Sequence, residues 1–358
     1  MKQYLDLLNK ILTEGVVKES GRPNMPNTMG ISNGIIRMDI NEGFPLLTTK
    51  KMAYKLIIHE LLWFLRGDTN IKYLVDNDVK IWSSDAYRWY QKWWNEAGQY
   101  MGGLREIKTI EKFVEQVKQD SNCEYDWIFD KKYTIGDLGK IYGHQWRNQN
   151  GVDQIKNIID GLKSNPYSRY HIINGWNASD FHDMALPPCH LLYQFIVRPF
   201  KNDDIIHYLN KYYLMYDQIP WTSSLIEENG GYEKINEQYN VPKFYLDLNM
   251  YQRSCDTFLG VPFNLASMSL LLLIIAKVSN MMPGIATWIG GDVHLYLDHI
   301  LLAKEQIERE PYELPHLSIN KIIDTLDDIL QLTVDDFELI NYRSHPPIKA
   351  ELFTGLKQ

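Results

Sequence analysis

The sequence predicts an α+β fold, built from two long buried helices and a set of short strands. Residues 52–66 are apolar on nearly every side, which is typical of a helix inside a core. Residues 264–278 have the same character. Four runs rich in β-branched or aromatic residues are flanked by turn formers, and they predict strands at 170–176, 191–197, 244–251 and 284–289. We expect these strands to share one sheet.

The remaining elements follow from the spacing of apolar residues. Residues 1–10 have apolar positions every three to four residues, so they predict a first helix and lack the continuous apolar core of a secretion signal. Gly67-Asp68 ends the helix of residues 52–66. Residues 152–163 have helical spacing, and residues 296–308 predict a last, amphipathic helix.

The chain is predicted to be a single domain over residues 1–358 with two insertions. No internal repeat or flexible linker marks a domain boundary. The segments from about 83 to 132 and from about 200 to 242 are polar or charged and only weakly patterned. They are therefore predicted to lie on the surface of the domain.

Composition excludes several classes of protein. Lys and Arg total 37 against 45 Asp and Glu, and the formal net charge of −8 argues against dedicated nucleic-acid binding. The longest apolar run, Leu270–Ala276, is far shorter than the roughly 18 residues that cross a bilayer, so we expect no membrane partner. The three cysteines form no Cys-x-x-Cys pair, which predicts no disulfide framework and no metal site. A reducing, cytoplasmic location follows as an expectation.

Cys189 is the first candidate for chemistry. It stands between the rigid turn Pro187-Pro188 and a predicted strand, so the direction of its thiol is fixed. A neighbouring cation or N–H donor would raise the thiolate fraction, which is the nucleophilic form. The alternative is a small buried apolar residue, and the adjacent His190, taken alone, is predicted to be a structural histidine.

A second cluster of polar residues runs from Arg253 to Asn264. Arg253 and Ser254 offer a guanidinium and a hydroxyl, a natural pair for a phosphate. Asp256 accepts hydrogen bonds, while the amide of Asn264 both donates and accepts, as reading the edge of a flat heterocycle requires. The alternative is a strand end with an ion-paired arginine, followed by a capped helix.

Two further candidates are weaker on their own. His294 and Tyr296 are two residues apart, so they would point to one side of an extended segment, where they suit a sugar hydroxyl. A polar turn is the alternative. Glu60 lies in an otherwise apolar helix, where a carboxylate must be paired, hydrated or protonated. It is therefore a candidate acid–base group or a structural ion pair.

Together these segments closely resemble the thymidylate synthase family, in order and over most of the chain. The matching segments are Phe44–Lys51, His59–Leu65, Gly136–Arg147, Pro187–His190, Gln252–Asn264 and Gly291–Tyr296. The resemblance implies a mixed sheet, dimerisation through that sheet, and reductive methylation of deoxyuridylate (dUMP) to thymidylate (dTMP) by methylenetetrahydrofolate. The two predicted insertions lie outside it.

The resemblance also implies a role for each matching residue. Cys189 would add to the sixth ring carbon of dUMP and so make the fifth carbon a nucleophile. Asn264 and Gln252 would hold the uracil edge, and Glu60 with Tyr142 would transfer protons. The phosphate would contact Arg253, Ser254 and Arg22, together with Arg169 from the other subunit. The sugar would contact His294 and Tyr296. The reduced folate would contact Asp256, Trp82, Leu259 and Gly260. Arg253 would also be the cation near the thiolate.

Four departures from the family pattern bear on these roles. Tyr170 follows Arg169 where the family has a second arginine, and Arg22 stands in an altered frame within its loop. Asp85 replaces a tryptophan that some members carry. The chain also continues from Glu351 to Gln358, where the family usually ends in a few apolar residues whose carboxylate closes the site.

These departures leave alternatives to the methylation reaction. A dUMP hydroxymethylase would capture the same intermediate with water; Asp85 and the altered tail favour it, and the retained Trp82 does not. A cytidylate hydroxymethylase is disfavoured, because such members tend to carry a carboxylate in place of Asn264. An inactive nucleotide- or RNA-binding regulator is disfavoured by the acidic composition and by the retained Cys189.

Overall fold

The computed structural model describes residues 1–21, 24–96, 106–119, 124–128, 131–214 and 219–354. The strands in these residues are β1 (Val16–Lys18), β2 (Thr28–Ile31), β3 (Gly34–Asp39), β4 (Glu124–Ile128), β5 (Lys131–Thr134), β6 (Ile172–Asn174), β7 (His190–Pro199), β8 (Phe244–Asp256), β9 (Met282–Tyr296), β10 (His316–Ile319) and β11 (Phe337–Ile340). The helices are α1 (Lys2–Glu14), α2 (Tyr54–Leu65), α3 (Lys72–Asp76), α4 (Ser83–Glu96), α5 (Ile110–Gln119), α6 (Tyr142–Asn148), α7 (Gln154–Ser164), α8 (Asn202–Tyr212), α9 (Ser223–Glu228), α10 (Gly231–Gln238), α11 (Gly260–Val278), α12 (Ile300–Ile307) and α13 (Leu326–Leu330).

A mixed sheet forms the centre of the fold. Within the described residues it has seven strands in the order β1-β2-β9-β8-β7-β6, with β3 also paired to β9. β8 and β9 run parallel, and the other pairs in this sheet are antiparallel. The predicted α+β class is therefore confirmed, and the four predicted strands do share one sheet.

Helix α11 connects the two parallel strands β8 and β9. Most of its side chains are buried, and the helix packs against β8, β9 and α2. By length and composition alone, α11 could cross a membrane, but 78% of its apolar stretch is buried inside the protein. Its apolar character is therefore explained by its place in the core.

The strands that carry the polar motifs extend beyond the predicted ranges. β8 continues to Asp256, because its pairing with β9 persists from Tyr245–Met282 to Asp256–His294, and β9 continues to Tyr296, which pairs with Thr28 on β2. Apolar pattern alone missed these ends, since the backbone ladder does not require apolar side chains. β6 is shorter than predicted, and the last predicted helix begins at Ile300 after a 3₁₀ turn.

The segment between β7 and β8 has a small core of its own. Helices α8, α9 and α10 surround a cluster separate from the main core, formed by Ile205, Leu209, Trp221, Ile226, Ile235 and Val241. The indole of Trp221 donates a hydrogen bond to the carbonyl of Tyr213 at 2.6 Å. The segment joins the sheet where the hydroxyl of Tyr245 donates to Asp204.

Replacing Trp221 by alanine should open this small core and leave the main core folded. Truncating a buried tryptophan costs about 3–5 kcal/mol, and here the loss falls on a separate cluster. Limited proteolysis should then cut within residues 200–242, while the main thermal transition is little changed. Trp63→Ala, in the main core, is the matched control and should destabilise the whole chain. A large loss of global stability in Trp221→Ala would show that the two cores unfold as one.

Candidate functional site

Three sequence motifs meet at one end of the sheet. Cys189 precedes β7, and its carbonyl accepts a hydrogen bond from the N–H of Arg253 in β8 at 2.9 Å. Across the parallel pair, Ser254 lies opposite Asp292 and Asp256 opposite His294. Neighbouring strands are about 4.8 Å apart. The turn at Cys189, the polar cluster that begins at Arg253, and the pair His294 and Tyr296 therefore form one region.

The backbone around Cys189 is held from two sides. The guanidinium of Arg253 donates from Nε to the carbonyl of Pro188 and from Nη2 to that of Pro187, both at 2.8 Å. The N–H of Cys189 donates to the hydroxyl of Tyr142 at 2.6 Å. These bonds fix the turn that aims the half-buried Cys189 side chain, as the Pro-Pro-Cys sequence predicted.

The second cysteine in this region, Cys255, is not suited to nucleophilic chemistry. Its side chain is completely buried, and burial raises the pKa of the Cys255 thiol far above its usual value. A thiol in that state is almost entirely protonated near neutral pH. Cys189 is therefore the better nucleophile of the two.

Tyr142 links Cys189 to the buried helix α2. Its hydroxyl also accepts from the N–H of His190 at 3.3 Å, and its ring lies 4.8 Å from that of Phe64. Burial, with a further contribution from Cys189, raises the pKa of Tyr142 well above its usual value. The residue is therefore a neutral phenol at the base of the cysteine turn.

A chain of hydrogen bonds orients the Asn264 amide. The indole of Trp288 donates to Oε1 of Gln252 at 2.9 Å, and Nε2 of Gln252 donates to Oδ1 of Asn264 at 3.0 Å. Because its oxygen is engaged, the Asn264 amide presents its NH₂ group as a donor. A planar ring with a carbonyl at its edge would match this donor.

His190, for which only a structural role was predicted, completes this network. Its ring is buried, contacts the Tyr193 hydroxyl at 3.2 Å and hydrogen-bonds Asn264. Burial lowers the pKa of His190 to about 4, against the opposing effect of Asn264. The imidazole is therefore neutral at pH 7 and acts as a polar support. Its position directly after Cys189 was the available signal.

Glu60 is half-buried on α2, and within the described residues its hydrogen-bond partner is an indole and not a cation. Nε1 of Trp82 donates to Oε1 of Glu60 at 2.7 Å. Burial raises the pKa of Glu60 from its ordinary value of 4.5 to about 7, and the Trp82 hydrogen bond opposes that shift. The carboxyl is thus poised to exchange a proton near neutral pH, as a general acid or base requires.

His294 and Tyr296 lie on one face of β9, as their spacing predicted. Both side chains are buried, and their rings meet nearly perpendicularly with centroids 5.6 Å apart. The described end of the tail reaches this pair, since the ring of Phe353 lies 5.0 Å from that of Tyr296 and also stacks on His299. The tail therefore contacts the candidate site.

Asp256 stands where β8 gives way to α11. Its Oδ1 accepts from the N–H groups of Phe258 and Leu259 at 3.1 and 3.2 Å. Gly260 lies beside it, since a Cβ there would be 3.5 Å from that of Asp256 and 3.7 Å from Oδ1 of Asn264. Lys50, which the sequence did not suggest, donates to the Phe258 carbonyl at 2.5 Å, and burial lowers its pKa to about 7.

One predicted site residue, Arg169, is not brought to this region within one chain. Arg169 precedes β6, which runs antiparallel to β7, so it extends towards the Pro199 end of β7 and away from Cys189. Arg169 is exposed, as is Tyr170, whose side chain is 89% exposed. Arg22 lies outside the described residues.

Comparisons with known proteins show the family to which the chain is related. A sequence model described as thymidylate synthase matches residues 2–216 and 234–354. The chain is 41% identical over 354 residues to a thymidylate synthase of Malacoplasma penetrans, covering 98% of this chain and 99% of the relative. It is 40% identical over 352 residues to that of Mycoplasma mobile, with the same coverage.

The raised pKa of Glu60 predicts a specific dependence of stability on pH. Between pH 4.5 and 7 the folded chain keeps a proton on Glu60 that the unfolded chain releases, so this group destabilises the fold increasingly as pH rises. Glu60→Gln removes the effect. The free energy of unfolding of the variant, minus that of the parent, should increase across this window by about 1–3 kcal/mol.

Urea unfolding at a series of pH values measures this difference. Glu14→Gln, at the exposed end of α1, is the control and should show a constant difference from the parent. A constant difference for Glu60→Gln as well would mean that Glu60 ionises at its ordinary pKa in the folded chain.

Proposed function

This chain belongs to the thymidylate synthase family, and we propose that it methylates dUMP through a covalent adduct of Cys189. It is a methyltransferase of thymidylate synthesis. The observation that best supports the residue assignment is the fixed Cys189 turn. Tyr142 and Arg253 hold that turn beside the oriented amide of Asn264.

The proposed covalent step uses the thiolate of Cys189. Its sulfur forms a bond to the sixth ring carbon of uracil, and the electron pair of the ring double bond moves towards the carbonyl, so the fifth carbon becomes nucleophilic. The donor NH₂ of Asn264 and the proton-exchanging Glu60 are suited to stabilising the resulting negative charge. Gln252 keeps Asn264 in the orientation that accepts uracil and disfavours cytosine.

The proposed contacts to the nucleotide lie at the same end of the sheet. We assign the phosphate to Arg253 and Ser254, with Arg22, and the sugar hydroxyl to His294 and Tyr296. Arg253 has five N–H donors, of which two are used by the proline carbonyls. The remaining donors are available to a phosphate.

The reduced folate is proposed to lie over Trp82, Leu259 and Gly260, with Asp256 on its pterin ring. These residues suit such a group by their chemistry, because an indole, an apolar side chain and a glycine can lie against a flat ring, and the Asp256 carboxylate accepts hydrogen bonds. Methylenetetrahydrofolate supplies the carbon and the hydride. The part of this chain in that step is to exclude water, and the contact of Phe353 with Tyr296 supports a role for the tail.

We further propose that two copies pair through the free face of the sheet, with Arg169 serving the site of the partner subunit. Apolar side chains on this side remain exposed, including Ile35, Ile196 and Tyr251 at 67, 39 and 40%. Such a face is typical of a surface that packs against another protein. A single domain with two insertions and a cytoplasmic location complete the proposal. The insertion at about 83–132 does not lie wholly on the surface as predicted, because Ala86, Tyr90, Phe113 and Val117 are buried in the main core.

The alternative products differ in what captures the methylene intermediate. A dUMP hydroxymethylase would add water to this intermediate and release hydroxymethyl-dUMP. The unusual tail favours this reaction, and the retained Trp82 disfavours it. An inactive nucleotide-binding regulator would give no product. The bond from Trp82 to Glu60 favours catalysis, because it holds a proton-exchanging carboxyl on an indole whose ring lies 6.0 Å from that of Tyr142, the tyrosine that supports Cys189.

A product assay tests the reaction directly. Incubating the protein with dUMP and methylenetetrahydrofolate should yield thymidylate and one dihydrofolate per turnover, measured by mass spectrometry and absorbance. Cys189→Ser should lose activity by at least about a thousandfold, because the serine hydroxyl is a far weaker nucleophile. Hydroxymethyl-dUMP without dihydrofolate would overturn the methylation reaction, and binding of dUMP without any product would support the regulator.

Mixing two defective variants tests the shared site. Arg169→Ala should raise the KM for dUMP, and Cys189→Ser should be inactive. In a mixed dimer, the cysteine of the first variant would receive Arg169 from the second. Random pairing makes about half of the dimers mixed, each with one intact site, so about a quarter of parental activity should return at low dUMP. No recovery would indicate that Arg169 acts within its own subunit or not at all.

A further inference from the structure

We propose that Lys18 is a phosphate-binding cation of this chain and that it supplies charge missing at Tyr170. This inference rests on the proposed function, because it takes the phosphate position from Arg253 and Ser254. A difference between this sequence and the family pattern is the reason to expect an additional cation. Tyr170 stands where the family pattern has an arginine, so the site lacks one full positive charge that a phosphate dianion would otherwise meet.

The architecture of the sheet brings Lys18 to this position. Lys18 on β1 pairs with Thr28 on β2, and Thr28 pairs with Tyr296 on β9. From there its side chain reaches back along β9, and its Nζ lies 2.7 Å from Oδ1 of Asp292. Asp292 is the residue directly opposite Ser254 on the neighbouring strand. The Lys18 ammonium group is thus held by the strand next to Ser254, whose hydroxyl is proposed to bind the phosphate.

Lys18 and Arg253 also face one cavity. Among the described residues that line it, the cationic ones are Lys10, Lys18 and Arg253, and the anionic ones are Glu14 and Asp292. The guanidinium of Arg253 has already committed two N–H groups to the proline carbonyls. A second cation beside it would increase the attraction for a phosphate.

The bond to Asp292 positions Lys18 without consuming it. A lysine ammonium has three donors, so one can remain on Asp292 while another reaches a phosphate oxygen. The Asp292 carboxylate stays ionised, because its hydrogen bonds to His294 and then Lys18 lower its pKa to about 2. Lys18 and Asp292 side chains are 50 and 42% exposed, so an anion from solvent can approach them.

The test compares ligands with and without the phosphate. Lys18→Met should weaken dUMP by roughly three- to tenfold, both in KM and in equilibrium binding by calorimetry, and leave kcat within about twofold. Inhibition by deoxyuridine, which has no phosphate, should be unchanged. Lys18→Arg should retain most of the affinity. The fold should be unaffected, because exposed ion pairs contribute little to stability.

Lys10→Met is the matched control, because it removes the same charge from the same cavity. It should leave dUMP binding within about twofold of the parent. Equal losses in Lys10→Met and Lys18→Met, equal losses for dUMP and deoxyuridine, or no loss in Lys18→Met would each overturn the proposal. Calorimetry does not require turnover, so failure of the Lys18 assignment is distinguishable from failure of the proposed reaction.

Discussion

The parallel pairing of β8 with β9, joined by the buried helix α11, is the constraint on which the site depends. It aligns the polar end of β8 with that of β9, so that Asp256 lies opposite His294. The same connection sets Asn264 in the second turn of α11, within reach of Gln252. Burying α11 among the sheet and α2 stabilises the pairing, and the hydrogen-bonding residues at its end are held by the core.

A polar site at the edge of such a core must satisfy its own hydrogen bonds. Gln252 is an example, since Trp288 donates to its oxygen while its nitrogen reaches both Asn264 and the Ser254 carbonyl. An unsatisfied amide in this position would cost free energy. The network therefore fixes the direction of each donor before any ligand arrives, which is what preorganised recognition requires.

The sequence predicted the fold class and the residues that converge, but not their pairwise partners. Helices over 52–66 and 264–278 were predictable because a helix that is apolar on every side is stable only when it is buried. The sequence also indicated that Glu60 needed a partner, yet Trp82 is 22 residues away and only the folded chain brings them together. Lys50 was missed because a lysine in a polar run is usually exposed, whereas here it is buried against the Phe258 ring and carbonyl.

The tail connects these buried networks to the choice of product. Phe353 stacks on His299 and contacts Tyr296, while the ring of His299 hydrogen-bonds the carbonyl of Glu351. The tail is thus held by ring contacts and a backbone bond close to the residues proposed to bind the sugar. Because a methylene intermediate is exposed to whichever reactant reaches it first, water exclusion here decides between methylation and hydroxymethylation. The aromatic contacts of Phe353 with Tyr296 and His299 can contribute to that exclusion.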